Sequence, residues 1–94
     1  MARLSDAQVE AGLARLPGWR REGDALVKQF AFEGFPDALA ALVRLAFEAE
    51  AADHHPDFLL SYRRLTLSYS THSANGLTQK DLDGAAAADR LLAR

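Results

Sequence analysis

Proline, glycine and their turn-forming neighbours cut this chain of 94 residues at Pro17-Gly18, Gly23-Asp24, Gly34 to Asp37, Pro56 and Asn75-Gly76. Proline locks one dihedral and lacks an N–H, and glycine enters backbone regions closed to other residues, so regular elements stop at such points. The chain must therefore fold from short pieces, each needing a neighbour to cover its apolar side.

Between the breaks the hydrophobic period switches from helical to extended and back. Ser5-x-x-Gln8 has capping-box spacing and Leu4 with Val9 has hydrophobic-staple spacing, predicting a first helix with Val9, Leu13 and Leu16 on one side. Trp19 to Glu22 and Ala25 to Phe32 read as a hairpin turning at Gly23-Asp24. Leu26, Phe30 and Phe32 share one parity with Lys28, so a lysine interrupts that sheet face. A second helix opens with Pro36 in its first turn, carries the stripe Leu39, Leu42, Val43, Ala46 and Phe47, and stops before Pro56. Phe58 to Tyr62 and Leu65 to Thr71 form a second strand pair turning near Arg63-Arg64. Leu65, Leu67 and Tyr69 then share one face, and Thr66, Ser68, Ser70 and His72 share the other, which is almost wholly polar. Tyr62 is assigned to the core. Thr78-x-x-Asp81 resembles a capping box and opens a last helix, Gln79 to Ala93. The order is α-β-β-α-β-β-α, an α+β fold with an antiparallel sheet.

Composition narrows the function. Nineteen Ala and fifteen Leu against three Val and no Ile favour helix over strand. With 49% apolar and 26% charged residues, the expectation is one globular domain spanning 1–94. The longest wholly apolar run, Ala38 to Val43, is far below the ~20 residues of a membrane span, and the start of the chain has no secretory pattern. A cytoplasmic location without membrane contact is expected. A net charge of −2 argues against a nucleic-acid partner. The absence of cysteine removes disulfides, thiolate metal sites and a thiol nucleophile.

The chemistry concentrates in Glu50-Ala51-Ala52-Asp53-His54-His55-Pro56-Asp57. Glu50 continues the second helix's stripe, and His54 follows four residues later, so a carboxylate and an imidazole stand where core residues should continue. Such a pair can cap the helix end, where its dipole favours a cation, or can orient a working histidine in a cleft. Imidazole holds both acid and base forms near neutrality, which gives His54, His55 and His72 a common potential role. No zinc-ligand spacing, EF-hand, nucleophile elbow or glycine-rich phosphate loop occurs. The expectation is proton transfer without a metal or other cofactor.

Glu50-x-x-x-His54-His55-Pro56, then Tyr62, His72 and Asp81, resembles the signature of the pterin-4a-carbinolamine dehydratase family. Leu16-Pro17-Gly18-Trp19, Phe30-x-Phe32 and Gly76-Leu77-Thr78 extend the resemblance over essentially the whole chain. Phe58 stands where family members often carry Trp, and Leu60-Ser61 precedes Tyr62 where Asn or Val is common, which implies altered fit. The resemblance implies a four-stranded antiparallel sheet with three helices packed on it. It also implies dehydration of a 4a-hydroxytetrahydropterin, left when aromatic amino acid hydroxylases use tetrahydropterin, to a quinonoid dihydropterin. His54, His55 and His72 would then surround a pterin substrate, with Glu50 and Asp81 supporting them and Pro56, Thr71 and Ser73 lining the pocket. Asp81 also reads as a helix-cap residue. The resemblance further implies a homodimer or homotetramer, and the Ala85 to Ala88 run suggests a close helix contact within it. A non-catalytic reading accompanies the enzymatic one, because animal members also serve as a dimerisation cofactor for a homeodomain transcription factor. A domain recruited to another pterin cofactor or to protein stabilisation is a third.

Overall fold

The computed structural model describes residues 2–92. Its elements run α1 (Asp6–Leu13), β1 (Arg20–Glu22), β2 (Ala25–Ala31), α2 (Phe35–Ala52), β3 (Asp57–Ser61), β4 (Arg64–Tyr69) and α3 (Gln79–Leu92), with a 3-10 turn at His72–Ala74. This is the expected α-β-β-α-β-β-α order. The predicted last residue of α3, Ala93, lies outside the described residues.

The strands form one antiparallel sheet in the order β1-β2-β4-β3. Leu26 pairs with Tyr69 and Phe30 with Leu65, which puts the large side chains of the two central strands on one face. Those four residues, with Leu67, are almost completely enclosed beneath the helices. Lys28 shares this face, and its ammonium donates to Asp89 Oδ1 of α3 at 2.8 Å and to the Pro17 carbonyl at 3.2 Å. The Trp19 indole N–H donates to the same Asp89 oxygen at 3.1 Å. One carboxylate thus ties the last helix to the sheet and to the turn before it.

Local signals explain the helix starts. The Ser5–Gln8 capping box is complete, satisfying two of the orphan N–H groups at the start of α1. Leu16 is buried but lies beyond α1, in the turn that Pro17-Gly18 completes. Gly23 enters positive φ at +59° and allows the tight β1–β2 turn.

The stripe read on α2 is the wrong face. The buried positions are Ala38, Ala41, Leu45 and Ala49, whereas Leu39, Val43 and Phe47 are exposed and Leu42 is half-buried. α2 is apolar on two sides, and the sheet's large residues already fill the space beneath it, so the side with alanines packs inward. Small residues do the same on α3. Ala85 and Ala88 are fully buried in the chain's own core, and a Cβ at Gly84 would come within 2.6 Å of the Tyr69 ring. Tyr62 is not a core residue. It occupies the β3–β4 turn at φ +55°, 68% exposed.

Candidate active site

The end of α2 determines where its histidines go. Asp53 takes the left-handed conformation at φ 52°, with its N–H donating to the Glu50 carbonyl and the His54 N–H to the Ala49 carbonyl. That pair of bonds is a Schellman ending, which turns the chain away from the helix axis. The i, i+4 relation expected between Glu50 and His54 requires helix at His54, and the helix has already ended at Ala52. The pairing is therefore different from the one read in the sequence. Glu50 is solvent-exposed and its Oε1 accepts from His55 Nε2 at 2.8 Å, while His54 Nε2 meets Asp81 Oδ1 at 2.6 Å.

Asp81 is completely enclosed. Its Oδ2 accepts from the Thr78 backbone N–H at 2.9 Å and from the Thr71 hydroxyl at 2.8 Å. The Thr71 hydrogen is thereby used, so the Thr78 hydroxyl donates to Thr71 Oγ1 across 2.9 Å. With Oδ2 accepting twice, Oδ1 is left to accept from His54, and His54 Nε2 carries the proton. Nδ1 is the ring nitrogen not committed to Asp81. The expected cap role of Asp81 and its support of a histidine are thus performed by one carboxylate, with one oxygen for each. Its side chain has no surface on a cleft. The His54 ring also stacks on Tyr69, with centroids 5.9 Å apart and planes 23° apart. Burial and the nearby Glu48 charge push the Tyr69 phenol up to about 12.

A cleft of about 340 Å³ gathers His54, His55 and His72 with Thr71, Ser73, Ser70, Asp53 and Lys80. His54 and His55 come from the segment that follows α2, and His72 from the 3-10 turn following β4. His72 lies three residues past the end of β4 rather than closing that strand. Asn75, at φ 54°, and Gly76, which bridges back to Thr71, hold the turn that presents His72 and Ser73. Pro56 and Glu50 do not line this cleft. They border an adjoining apolar recess of about 240 Å³ with Leu42, Leu45, Ala46 and Phe58, and His55 lines both spaces. Lys80 was not anticipated. Its place in the first turn of α3, beside Asp81, was the available signal. Among the described residues, no three His, Asp or Glu side chains gather closely enough to hold a metal ion, and no helix is long and apolar enough to cross a membrane.

Comparison with known proteins places the fold and the sequence in one family. A sequence profile described as Pterin 4 alpha carbinolamine dehydratase matches residues 2–91. A protein of Roseiflexus sp. (strain RS-1), provisionally named pterin-4-alpha-carbinolamine dehydratase, is 50% identical over 90 residues, covering 96% of this chain and 97% of its own. A protein of the same provisional name from Mycobacteroides abscessus is 47% identical over 94 residues, covering both chains completely. The crystal structure of a transcriptional coactivator/pterin dehydratase from Brucella melitensis superposes with a TM-score of 0.92 at 30% identity, over 96% of this chain and 98% of that one. A pterin dehydratase-like protein identified as a RuBisCO assembly factor in the alpha-carboxysome shares the fold, with a TM-score of 0.67 at 22% identity over 80% and 87% of the two chains. The chain belongs to the pterin 4 alpha carbinolamine dehydratase family.

Proposed function

We propose that the protein eliminates water from a 4a-hydroxytetrahydropterin, giving a quinonoid dihydropterin, by general acid–base catalysis from its histidines. One observation carries the reading: three imidazoles converge on one cleft, and one of them is held by a buried carboxylate. The hydroxyl on C4a leaves as water only if protonated, and N5 must lose a proton as the C=N bond forms. The reaction needs a proton donor and a proton acceptor at two points of one ring, and it moves no electrons to an external acceptor. His54 suits the donor role. Asp81 stabilises its imidazolium and fixes its orientation, and Nδ1 is the nitrogen left to act. His72 approaches from a different element and suits the acceptor role at N5. His55, paired with the exposed Glu50, binds the pterin ring, with Thr71 and Ser73 as polar lining. Pro56 shapes the recess beside it. Acid–base catalysis of this kind is worth roughly 10²–10⁴ in rate, or about 3–5 kcal/mol of barrier.

Steady-state dehydration of the 4a-hydroxy substrate tests the reading. Loss of 10-fold or more in kcat is expected for His54→Ala and for His72→Ala, while His55→Ala mainly raises KM. Unchanged kcat in both of the first two variants would end the catalytic role of these histidines. Exhaustive chelation is expected to leave activity intact. Stoichiometric zinc on elemental analysis, with activity lost on its removal, would overturn that.

The chain also bears the features of a self-associating protein. Phe35, Leu39, Val43 and Phe47 form an exposed apolar ridge on α2, and the outer strand β3 exposes Phe58 and Leu59. Contiguous apolar ridges and bare strand edges are the surfaces soluble proteins cover. A homo-oligomer, dimer or tetramer, follows as part of the proposal. The ridge also favours the second reading, an interaction module that holds another protein, and the dehydration assay separates the two.

A further inference from the structure

A second cleft also borders His54. It is a groove of about 610 Å³ between α2 and α3, lined by Glu48, Ala49 and Ala52 on one wall and Lys80, Gly84 and Ala87 on the other. Tyr69 lies at its floor, and Asp83 and Arg90 also border it. Tyr69 is 2% exposed, yet its hydroxyl has no hydrogen-bond partner among the described residues. No fully enclosed side-chain polar atom among those residues is left unpaired, so the hydroxyl retains contact with the groove. A nearly buried phenol with nothing to donate to, opening on a cavity of ligand size, marks a place where an acceptor belongs.

The rest of the lining specifies the acceptor. Lys80 and Arg90 balance Glu48 and Asp83, so the groove favours a molecule without net charge. Glu48 is a half-buried carboxylate, joined to Arg90 only by a 3.4 Å contact, and it lines the same groove as Tyr69. The phenol remains protonated through the physiological range and is available as a donor. A donor and an acceptor lining one groove complement a lactam edge, where a carbonyl stands next to a ring N–H. The walls between these groups are alanine and glycine, which leaves a slot suited to a flat ring. We infer that the α2–α3 groove is a second binding site, taking an uncharged planar heterocycle through its lactam edge, with Tyr69 donating to the carbonyl and Glu48 accepting from the ring N–H. Pterins and guanine share that edge. The inference does not depend on the dehydration reading, although His54 and Lys80 border both clefts.

Backbone amide shifts on the full chain locate the ligand. Titration with 7,8-dihydrobiopterin, which has no 4a-hydroxyl to lose, and separately with guanosine, is expected to move Ala49, Ala52, Gly84 and Ala87, with affinity on the order of millimolar or tighter. A response to dihydrobiopterin alone identifies the ligand class as pterins, and a response to guanosine alone identifies purines. Ala52→Leu, at an exposed position on the groove wall, should weaken the groove response by about 10-fold or more and leave the dehydration rate unchanged. Tyr69→Phe should weaken it while a thermal melt shows the fold retained. Shifts confined to His72 and Ser73 with both compounds would overturn the inference, as would groove shifts undiminished in Ala52→Leu. A protein that binds in the groove and fails to dehydrate its substrate counts against the enzymatic proposal alone.

Discussion

Asp81 and Glu50 each pair with a histidine, and their surroundings make them unequal. Asp81 is enclosed and accepts three hydrogen bonds, so Asp81→Ala leaves the Thr78 N–H, the Thr71 hydroxyl and His54 Nε2 without their acceptor. A loss of about 2–4 kcal/mol is expected in urea unfolding. Glu50 and His55 have side chains 81% and 58% exposed, and exposed pairs contribute little, so Glu50→Gln should leave stability nearly unchanged. If Asp81 also positions His54, Asp81→Ala should lower kcat more than it raises KM. Equal stability losses in the two variants would contradict this account of the site. The three histidines of the cleft stood out in the sequence by their chemistry and by the family resemblance, whereas Lys80 did not, and Glu50 continues a stripe that lies on the exposed face of α2. The pairing was not legible, because it turns on Asp53 entering the left-handed region, and aspartate signals that conformation far less strongly than glycine does.

At the scale of elements, order and turns followed from the breakers, while the orientation of α2 did not. A helix apolar on two faces offers two stripes, and only the sheet beneath it decides which one is buried. α3 is held by a different device, the Asp89 carboxylate that receives both Lys28 and the Trp19 indole. The Lys28 and Asp89 side chains are only 18% and 23% exposed. Asp89→Ala should therefore cost about 1–3 kcal/mol, read as a fall in Tm of roughly 4–8 °C per kcal/mol. The α3–β4 contact adds a pH dependence. The folded Tyr69 phenol is raised from 10.0 to about 12, so the unfolded chain loses this proton first as pH rises. Its contribution to stability is complete below pH 10 and declines through the window up to about 12, by roughly 3 kcal/mol from the two-unit difference. Tyr69→Phe should flatten that part of the stability curve, and an identical decline in the variant would show that Tyr69 is not its source.

The whole molecule is a helix-covered sheet with its chemistry at one end and an apolar ridge along α2. That ridge was read as core in the sequence, and its exposure in a single chain is what points to association. Light scattering at micromolar concentration should give a mass of two or four chains, and Phe47→Glu with Leu39→Glu should shift it toward the monomer. A wild-type mass of about 10 kDa would remove the proposed assembly, given a chain of 10.3 kDa. The fold was legible because short elements between strong breakers leave few arrangements, whereas the α2–α3 groove was not, since it depends on Gly84 lying over Tyr69. The central claim is that this chain removes water from a 4a-hydroxytetrahydropterin with its histidines. The direct measurement is the rate of quinonoid dihydropterin formation from freshly generated 4a-hydroxy substrate, followed by absorbance, with wild type and the His54→Ala,His72→Ala double variant in parallel. The wild type is expected to exceed the uncatalysed rate by at least roughly 10²-fold, with most of that gain lost in a double variant whose circular dichroism is unchanged. A wild-type rate equal to the uncatalysed one, or a folded double variant as fast as wild type, would contradict it.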